Sequence, residues 1–125
     1  MPEKKGIHIF VVDDEITISE TLALILSRNG FTVSSFTDPL KALDGVPSKS
    51  PDVLLTDVVM PRLSGIELAI QIREKCPACK ILLFSGQAET LDLLGAARQQ
   101  GHDFSLLTKP VHPLDLLRRI NDLIE

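Results

Sequence analysis

The chain has 125 residues, which suits one domain and is too short for two of ordinary size. Hydrophobic residues make up 44% of it and charged residues 24%, a balance that excludes wholesale disorder. With 17 acidic and 13 basic residues the net charge is -4, and the chain contains 5 Phe but no Trp or Tyr. Direct binding to nucleic acid is therefore not expected, because the chain would repel a polyanion and has few rings on which bases could stack.

The cysteine content and the apolar segments bear on location. Two cysteines are too few for a disulfide scaffold, and no signal-peptide pattern or apolar stretch of about 20 residues is present. We expect a cytoplasmic protein that does not contact a membrane. Cys76 and Cys79 have the spacing of redox and zinc motifs, but they follow a predicted helix C-terminus and lack a second pair of ligands. We interpret this segment as a surface loop.

Short β-branched segments alternate with helical patterns along the whole chain. The first helix is marked by apolar residues at helical spacing and ends at Asn29-Gly30 through a left-handed cap. Asp38 and Ser64 are expected to cap the second and third helices. The predicted strands are 7–12, 31–36, 52–57, 80–85 and 104–108. The predicted helices are 18–28, 39–45, 65–75, 89–100 and 113–124.

Five strand–helix repeats predict an α/β fold of (βα)5 type. Right-handed crossovers between parallel strands would give a doubly wound, five-stranded parallel sheet in a three-layer αβα sandwich, which is a flavodoxin-like architecture. In such sheets the functional site lies at the carboxyl ends of the strands, beside the point where the strand order reverses. The residues that follow each strand are therefore the first candidates for a site.

Polar residues end four of the predicted strands. Asp13 and Asp14 follow the first strand, Asp57 ends the third, Ser85 the fourth, and Lys109 follows the fifth. Capping of the next helix is the simpler explanation for any one Asp alone, but it does not require such residues on four strands. Three converging carboxylates repel one another, so Lys109 and a hard cation such as Mg²⁺ are expected among them. The same acids exclude an FMN phosphate site of flavodoxin type.

These residues also carry a family resemblance. Asp13-Asp14, the segment from Asp57 through Met60-Pro61 to Gly65, Ser85-Gly86 and Lys109-Pro110 together resemble the signature of two-component response-regulator receiver domains. The resemblance covers roughly residues 7–124. It implies a single, chemotaxis-regulator-like receiver over residues 1–125, with no effector domain.

The resemblance implies a phosphorelay function. A sensor histidine kinase or phosphotransfer protein would donate a phosphoryl group to Asp57, and the change would be passed to a downstream protein effector. The domain would catalyse its own phosphorylation and dephosphorylation rather than turn over an external substrate.

The resemblance also assigns the individual site residues. Asp14, Asp57 and the backbone carbonyl of Val59 would bind Mg²⁺, for which Mn²⁺ could substitute, and Asp13 would hold the ion through water. Ser85 and Lys109 would contact the phosphoryl group. The Lys109–Pro110 peptide would be cis, the alternative being that Pro110 only ends the strand.

The chain departs from the family pattern near the fifth strand. Leu106 stands where many receivers carry a switching Tyr or Phe. Phe104 would substitute for it after a bulge or register shift; otherwise there is no aromatic switch. Gly95 weakens the fourth helix and favours mobility there, unless it permits close helix packing.

Two other functions compete with phosphoryl acceptance. One is a degenerate receiver that binds proteins without being phosphorylated, against which the complete set of acids, hydroxyl and Lys argues. The other is a small phosphohydrolase of haloacid-dehalogenase type. That family has an Asp two residues after its nucleophile, where this chain has Val59.

Overall fold

The computed structural model describes residues 6–86, 90–101, 104–109 and 111–124. Within them, five strands alternate with five helices. The strands are β1 (His8–Val12), β2 (Thr32–Phe36), β3 (Val53–Asp57), β4 (Lys80–Ser85) and β5 (Ser105–Thr108). The helices are α1 (Ile16–Arg28), α2 (Pro39–Gly45), α3 (Gly65–Lys75), α4 (Thr90–Gln99) and α5 (Pro113–Ile124).

The strands form one parallel sheet in the order β2-β1-β3-β4-β5. The order reverses after β1, because β2 lies on one side of it and β3 on the other. This confirms the predicted (βα)5 fold, and it places the crevice between β1 and β3 where such sheets bind their ligands.

Two apolar layers cover the sheet. On one face, α2, α3 and α4 pack over a cluster that includes Phe10, Leu54 and Leu83. On the other face, α1 and α5 pack over a cluster that includes Val11 and Phe84. Strands buried on both faces explain the nearly continuous apolar runs of β1, β3 and β4. None of the helices within the described residues has the length and apolar character needed to span a membrane.

The predicted helix ends are confirmed. Gly30 has a φ of 96° after α1, and the N–H groups of Gly30 and Phe31 donate to the carbonyls of Ser27 and Leu26, which is a Schellman motif. The Asp38 carboxylate accepts the Leu40 N–H at 2.9 Å at the start of α2.

The third helix begins with a capping-box sequence. The Ser64 hydroxyl accepts the N–H of Glu67 at 3.1 Å, so Ser64 caps α3 as expected. The position of this helix start is important because a single loop connects it to Asp57 at the end of β3.

Strand β5 keeps a regular register. Ser105 to Thr108 pair one by one with Leu82 to Ser85, so no bulge interrupts the pairs that carry Leu106. Phe104 lies just before this strand, is 6% exposed and packs beneath the guanidinium of Arg73, 5.2 Å from the ring centroid. The aromatic ring thus lies buried against α3 rather than at position 106.

The structure bears on the interpretations of Gly95 and of the two cysteines. A Cβ added at Gly95 would meet no atom within 4 Å, so close packing does not explain this glycine. Residues 76–79 form a turn after α3 in which Pro77 and Ala78 are exposed, as interpreted for a surface loop. The Cys79 side chain is itself buried, Cys76 is half-buried, and both are free thiols. Burial raises the pKa of the Cys79 thiol to about 12, which makes it a poor nucleophile or metal ligand at neutral pH.

His8 lies in β1 at the end of the sheet opposite to the acids. It is 4% exposed, with Nε2 at 2.8 Å from the Ser34 hydroxyl and Nδ1 at 3.4 Å from the Ser50 carbonyl. Burial lowers the pKa of His8 in the folded protein. The neutral imidazole therefore contributes stability that is lost as the pH falls from the His8 pKa of the unfolded chain through that of the folded protein. We interpret it as a core residue that joins β1 to β2 and to the loop before β3.

Candidate functional site

The carboxyl ends of β1 and β3 bring the predicted acids together. Asp13 follows β1, Asp57 ends β3, and one carboxylate oxygen from each of Asp13, Asp14 and Asp57 lies within 4.8 Å of the others. The Asp13 backbone N–H donates to the Phe36 carbonyl at 3.1 Å, which continues the pairing of β1 with β2 past the end of the strand. The crevice predicted from the strand order is therefore acidic.

Lys109 joins two of these acids. Its Nζ is 3.3 Å from Oδ2 of Asp13 and 3.3 Å from Oδ2 of Asp57. The other oxygen of each carboxylate accepts a backbone N–H at 2.8 Å, from Glu15 in the case of Asp13 and from Val58 in the case of Asp57. These contacts fix the orientation of both carboxylates.

Burial differs among the three acids. Asp13 is 0% exposed and Asp57 7%, whereas Asp14 is exposed to solvent. Burial raises the pKa of both Asp13 and Asp57, although their contacts with Lys109 and backbone N–H groups act in the opposite direction. For Lys109 burial lowers the pKa, but Asp57 and Asp13 outweigh it and the net shift is upward. One ammonium thus offsets only part of the negative charge.

An open cleft of about 810 Å³ adjoins the acids. Asp14, Asp57 and Lys109 line it together with Val59 and Gly86 from the loops after β3 and β4. Oxygen ligands converging from two loops, one of them solvent-exposed, suit a small hard cation that keeps part of its water shell. Asp14, Asp57 and Val59, the predicted direct metal ligands, thus line one cleft, and an Asp13 oxygen lies within 4.8 Å of the carboxylates of Asp14 and Asp57.

The loop between β3 and α3 is held by a close backbone approach at Gly65. The Gly65 N–H donates to the Val58 carbonyl at 2.8 Å, and a Cβ at Gly65 would lie 1.9 Å from the Asp57 carbonyl oxygen. Only glycine fits this position without moving the backbone that carries Asp57.

Arg62 in the same loop was not singled out from the sequence. It is a non-glycine residue with a φ of 73°, and its guanidinium lies 3.1 Å from Oδ2 of Asp38. Because Asp38 also caps α2, this ion pair ties the loop after β3 to the loop after β2. A left-handed arginine has no sequence signal that could have revealed it.

Three predicted residues remain, namely Ser85, Leu106 and Pro110. Ser85 is 4% exposed at the end of β4, and its backbone carbonyl accepts the Lys109 N–H at 3.0 Å. Pro110 lies outside the described residues, so the expected cis peptide stays a prediction. Leu106 is half-buried on the face of the sheet covered by α3 and α4.

Comparison with known proteins gives a consistent result. Residues 9–121 match the profile of the response regulator receiver domain. The chain is 32% identical over 116 residues to the transcriptional regulatory protein CreB of Escherichia coli (strain K12). It is 34% identical over 119 residues to the response regulator MprA of Mycobacterium bovis (strain BCG / Pasteur 1173P2).

The matched regions cover most of this chain but not of these relatives. They take in 93% of the chain and 50% of CreB, and 95% of the chain and 51% of MprA, so the chain spans about half the length of both. A solved response regulator receiver domain protein from Clostridium thermocellum superposes with a TM-score of 0.83 at 32% identity, covering 94% of this chain and 93% of that one.

Replacing Gly65 with Ala should destabilise the protein. The added Cβ collides with the Asp57 carbonyl, so the loop and the end of β3 must move apart, at an expected cost of about 2–4 kcal/mol in unfolding free energy. Urea denaturation measures the change. Gly45→Ala is the matched control, because its Cβ meets Phe36 and Phe10 side chains at ordinary distances of 3.5 Å or more and should cost less than about 1 kcal/mol. Equal effects of the two substitutions would contradict this role of Gly65.

Replacing Asp13 with Asn should stabilise the metal-free protein at neutral pH. Because the pKa of Asp13 is raised in the folded state, the folded protein binds the carboxyl proton more tightly than the unfolded chain does. The protonated carboxyl therefore contributes stability at low pH, and this contribution is lost as the pH rises through the folded-state pKa. The advantage of the variant in unfolding free energy should therefore grow from about pH 4 upward. Denaturation in EDTA across this range measures it, and the contribution of His8 cancels because both proteins contain it. An advantage that shrinks with rising pH would contradict the assigned shift.

Proposed function

This chain belongs to the response regulator receiver domain family of two-component signalling, and we propose that it accepts a phosphoryl group on Asp57. The donor is the phosphohistidine of a sensor histidine kinase or phosphotransfer protein. The observation that carries this proposal is the position of Asp57, buried at the end of β3 with its carboxylate between the Val58 N–H and the Lys109 ammonium.

The proposed step is a phosphoryl transfer between two side chains. An oxygen of the Asp57 carboxylate attacks phosphorus, an O–P bond forms, and the P–N bond to the donor imidazole breaks. The electron pair of that bond returns to the imidazole nitrogen, which takes up a proton. Because negative charge on the transferred group must be offset throughout, positioned positive groups are the main catalytic requirement.

Lys109 meets this requirement in part. The Lys109 ammonium lies 3.3 Å from an Asp57 oxygen and so stands beside the phosphoryl group that this oxygen would carry. Ser85, one residue before Gly86 at the edge of the cleft, is proposed to donate its hydroxyl to a phosphoryl oxygen. The contact between Lys109 and Asp13 keeps the ammonium in the crevice.

We propose that the acids also hold Mg²⁺, with Mn²⁺ as a substitute. The convergence of three carboxylate oxygens within 4.8 Å, one of them on an exposed residue, fits such an ion. Asp14, Asp57 and the Val59 carbonyl would be direct ligands, and Asp13 would act through water. When bound, Mg²⁺ supplies positive charge that the single ammonium does not provide.

The proposed output is a change in protein–protein contacts. Phosphorylation draws the loop of Ser85 toward Asp57, and the change passes to the surface of α4, β5 and α5. Leu106 at the usual aromatic position favours transmission through the loop and strand rather than through a rotating ring. The net charge of -4 gives no support for direct binding of this chain to DNA. CreB is named a transcriptional regulatory protein, and that name describes CreB rather than this chain.

Incubation with acetyl phosphate and Mg²⁺ tests the proposal. One phosphoryl adduct, labile to hydroxylamine, is expected by intact mass spectrometry, and Asp57→Asn should abolish it. Asp44→Asn, at an exposed position on α2, is the matched control and should leave the adduct intact. Absence of an adduct on the wild-type protein, or its persistence on Asp57→Asn, would overturn the proposal in favour of a phosphorylation-independent binding module.

A further inference from the structure

The Lys109 ammonium has a third neighbour besides the two carboxylates. Its Nζ lies 4.9 Å from the centroid of the Phe84 ring and over its face. The distance is within the range in which a cation is attracted by an aromatic quadrupole. The Lys109 side chain is 23% exposed, so solvent screens this contact only in part.

The sheet fixes the position of the Phe84 ring. Phe84 is the fifth of six residues in β4, is 0% exposed, and pairs with Asp57 on one side and with Leu107 on the other. Residues that pair in neighbouring strands direct their side chains to the same face. The ring therefore lies beside Asp57 and beneath the ammonium, and packing in the cluster under α1 and α5 holds it there.

The ring also bounds an apolar cleft next to the acids. Phe84 and Lys109 line this cleft of about 490 Å³ together with Ile18 and Leu22 of α1 and with Val111. A flexible lysine at such a border has two environments available to its charge, the acidic crevice and the solvent beyond the cleft.

We propose that Phe84 is a positioning residue for Lys109, holding the ammonium at the acidic crevice when its contacts with the carboxylates weaken. This inference rests on the proposed phosphoryl transfer to Asp57. A divalent cation on the acids competes with Lys109 for carboxylate oxygens, and a phosphoryl group on Asp57 takes up one of these oxygens. Neither change removes the face of the Phe84 ring, which is still available to the ammonium when its carboxylate contacts weaken.

A purely structural role for Phe84 makes a different prediction. Ring fluorination withdraws electron density from the face and weakens attraction for a cation, while it changes the shape of the side chain little. If Phe84 only fills space, fluorination leaves Lys109 and the phosphorylation rate unchanged. If the ring holds the ammonium, both change stepwise with the number of fluorine atoms.

The experiment replaces Phe84 site-specifically with 4-fluoro-, 3,5-difluoro- and 3,4,5-trifluorophenylalanine in the full chain. Phosphorylation by acetyl phosphate and Mg²⁺ should slow progressively, by about fivefold over the series. In the metal-free protein, the Cε and Hε resonances of Lys109 should carry an upfield ring-current shift in the wild type. That shift should diminish along the series and disappear in Phe84→Leu.

The same substitutions at Phe10 are the matched control. Phe10 is 1% exposed, in the cluster on the opposite face of the sheet, so its variants should lose comparable packing without altering Lys109. The inference would be overturned if the Lys109 resonances showed no ring-current shift. It would also be overturned if the phosphorylation rate did not change across the fluorinated series. A wild-type protein that forms no adduct would refute the proposed function instead, and the Lys109 resonances would still decide whether the ring holds the ammonium.

Discussion

Repulsion among the carboxylates of Asp13, Asp14 and Asp57 is the constraint on which the site depends. Two unit charges about 4 Å apart interact by about 4 kcal/mol at an effective dielectric constant of 20, and two of these three acids are buried. The fold tolerates them because Lys109 joins Asp13 to Asp57 and backbone N–H groups occupy their remaining oxygens. The negative charge that Lys109 does not offset favours the cation that we propose to bind there.

The surrounding framework serves mainly to keep these groups in place. Gly65 brings the start of α3 against the end of β3, which fixes the Asp57 backbone. Asp38 caps α2 and pairs with Arg62, which links the loops after β2 and β3 through a solvent-exposed ion pair. Phe84 adds an apolar wall beneath Lys109. The site is thus built from loops, but each loop is anchored to a strand or helix end by a specific contact.

Features that depend on local sequence were predictable. The strand bounds, the caps at Asp38 and Ser64, and the left-handed Gly30 follow from residue type and spacing. The meeting of Asp13, Asp14 and Asp57 also followed, because parallel strands end at one edge of a sheet.

What could not be predicted depends on where side chains meet in three dimensions. The ring of Phe84 under Lys109, the guanidinium of Arg73 over Phe104, and the open space beside Gly95 have no signature in the order of residues. The free energy of unfolding as a function of Mg²⁺ tests most directly whether the charge on the three acids binds a cation. We expect a rise of about 1.4 kcal/mol at a free Mg²⁺ concentration ten times Kd, and a much weaker response in Asp14→Asn. Unfolding free energy independent of Mg²⁺, or an equal response in Asp14→Asn, would contradict it.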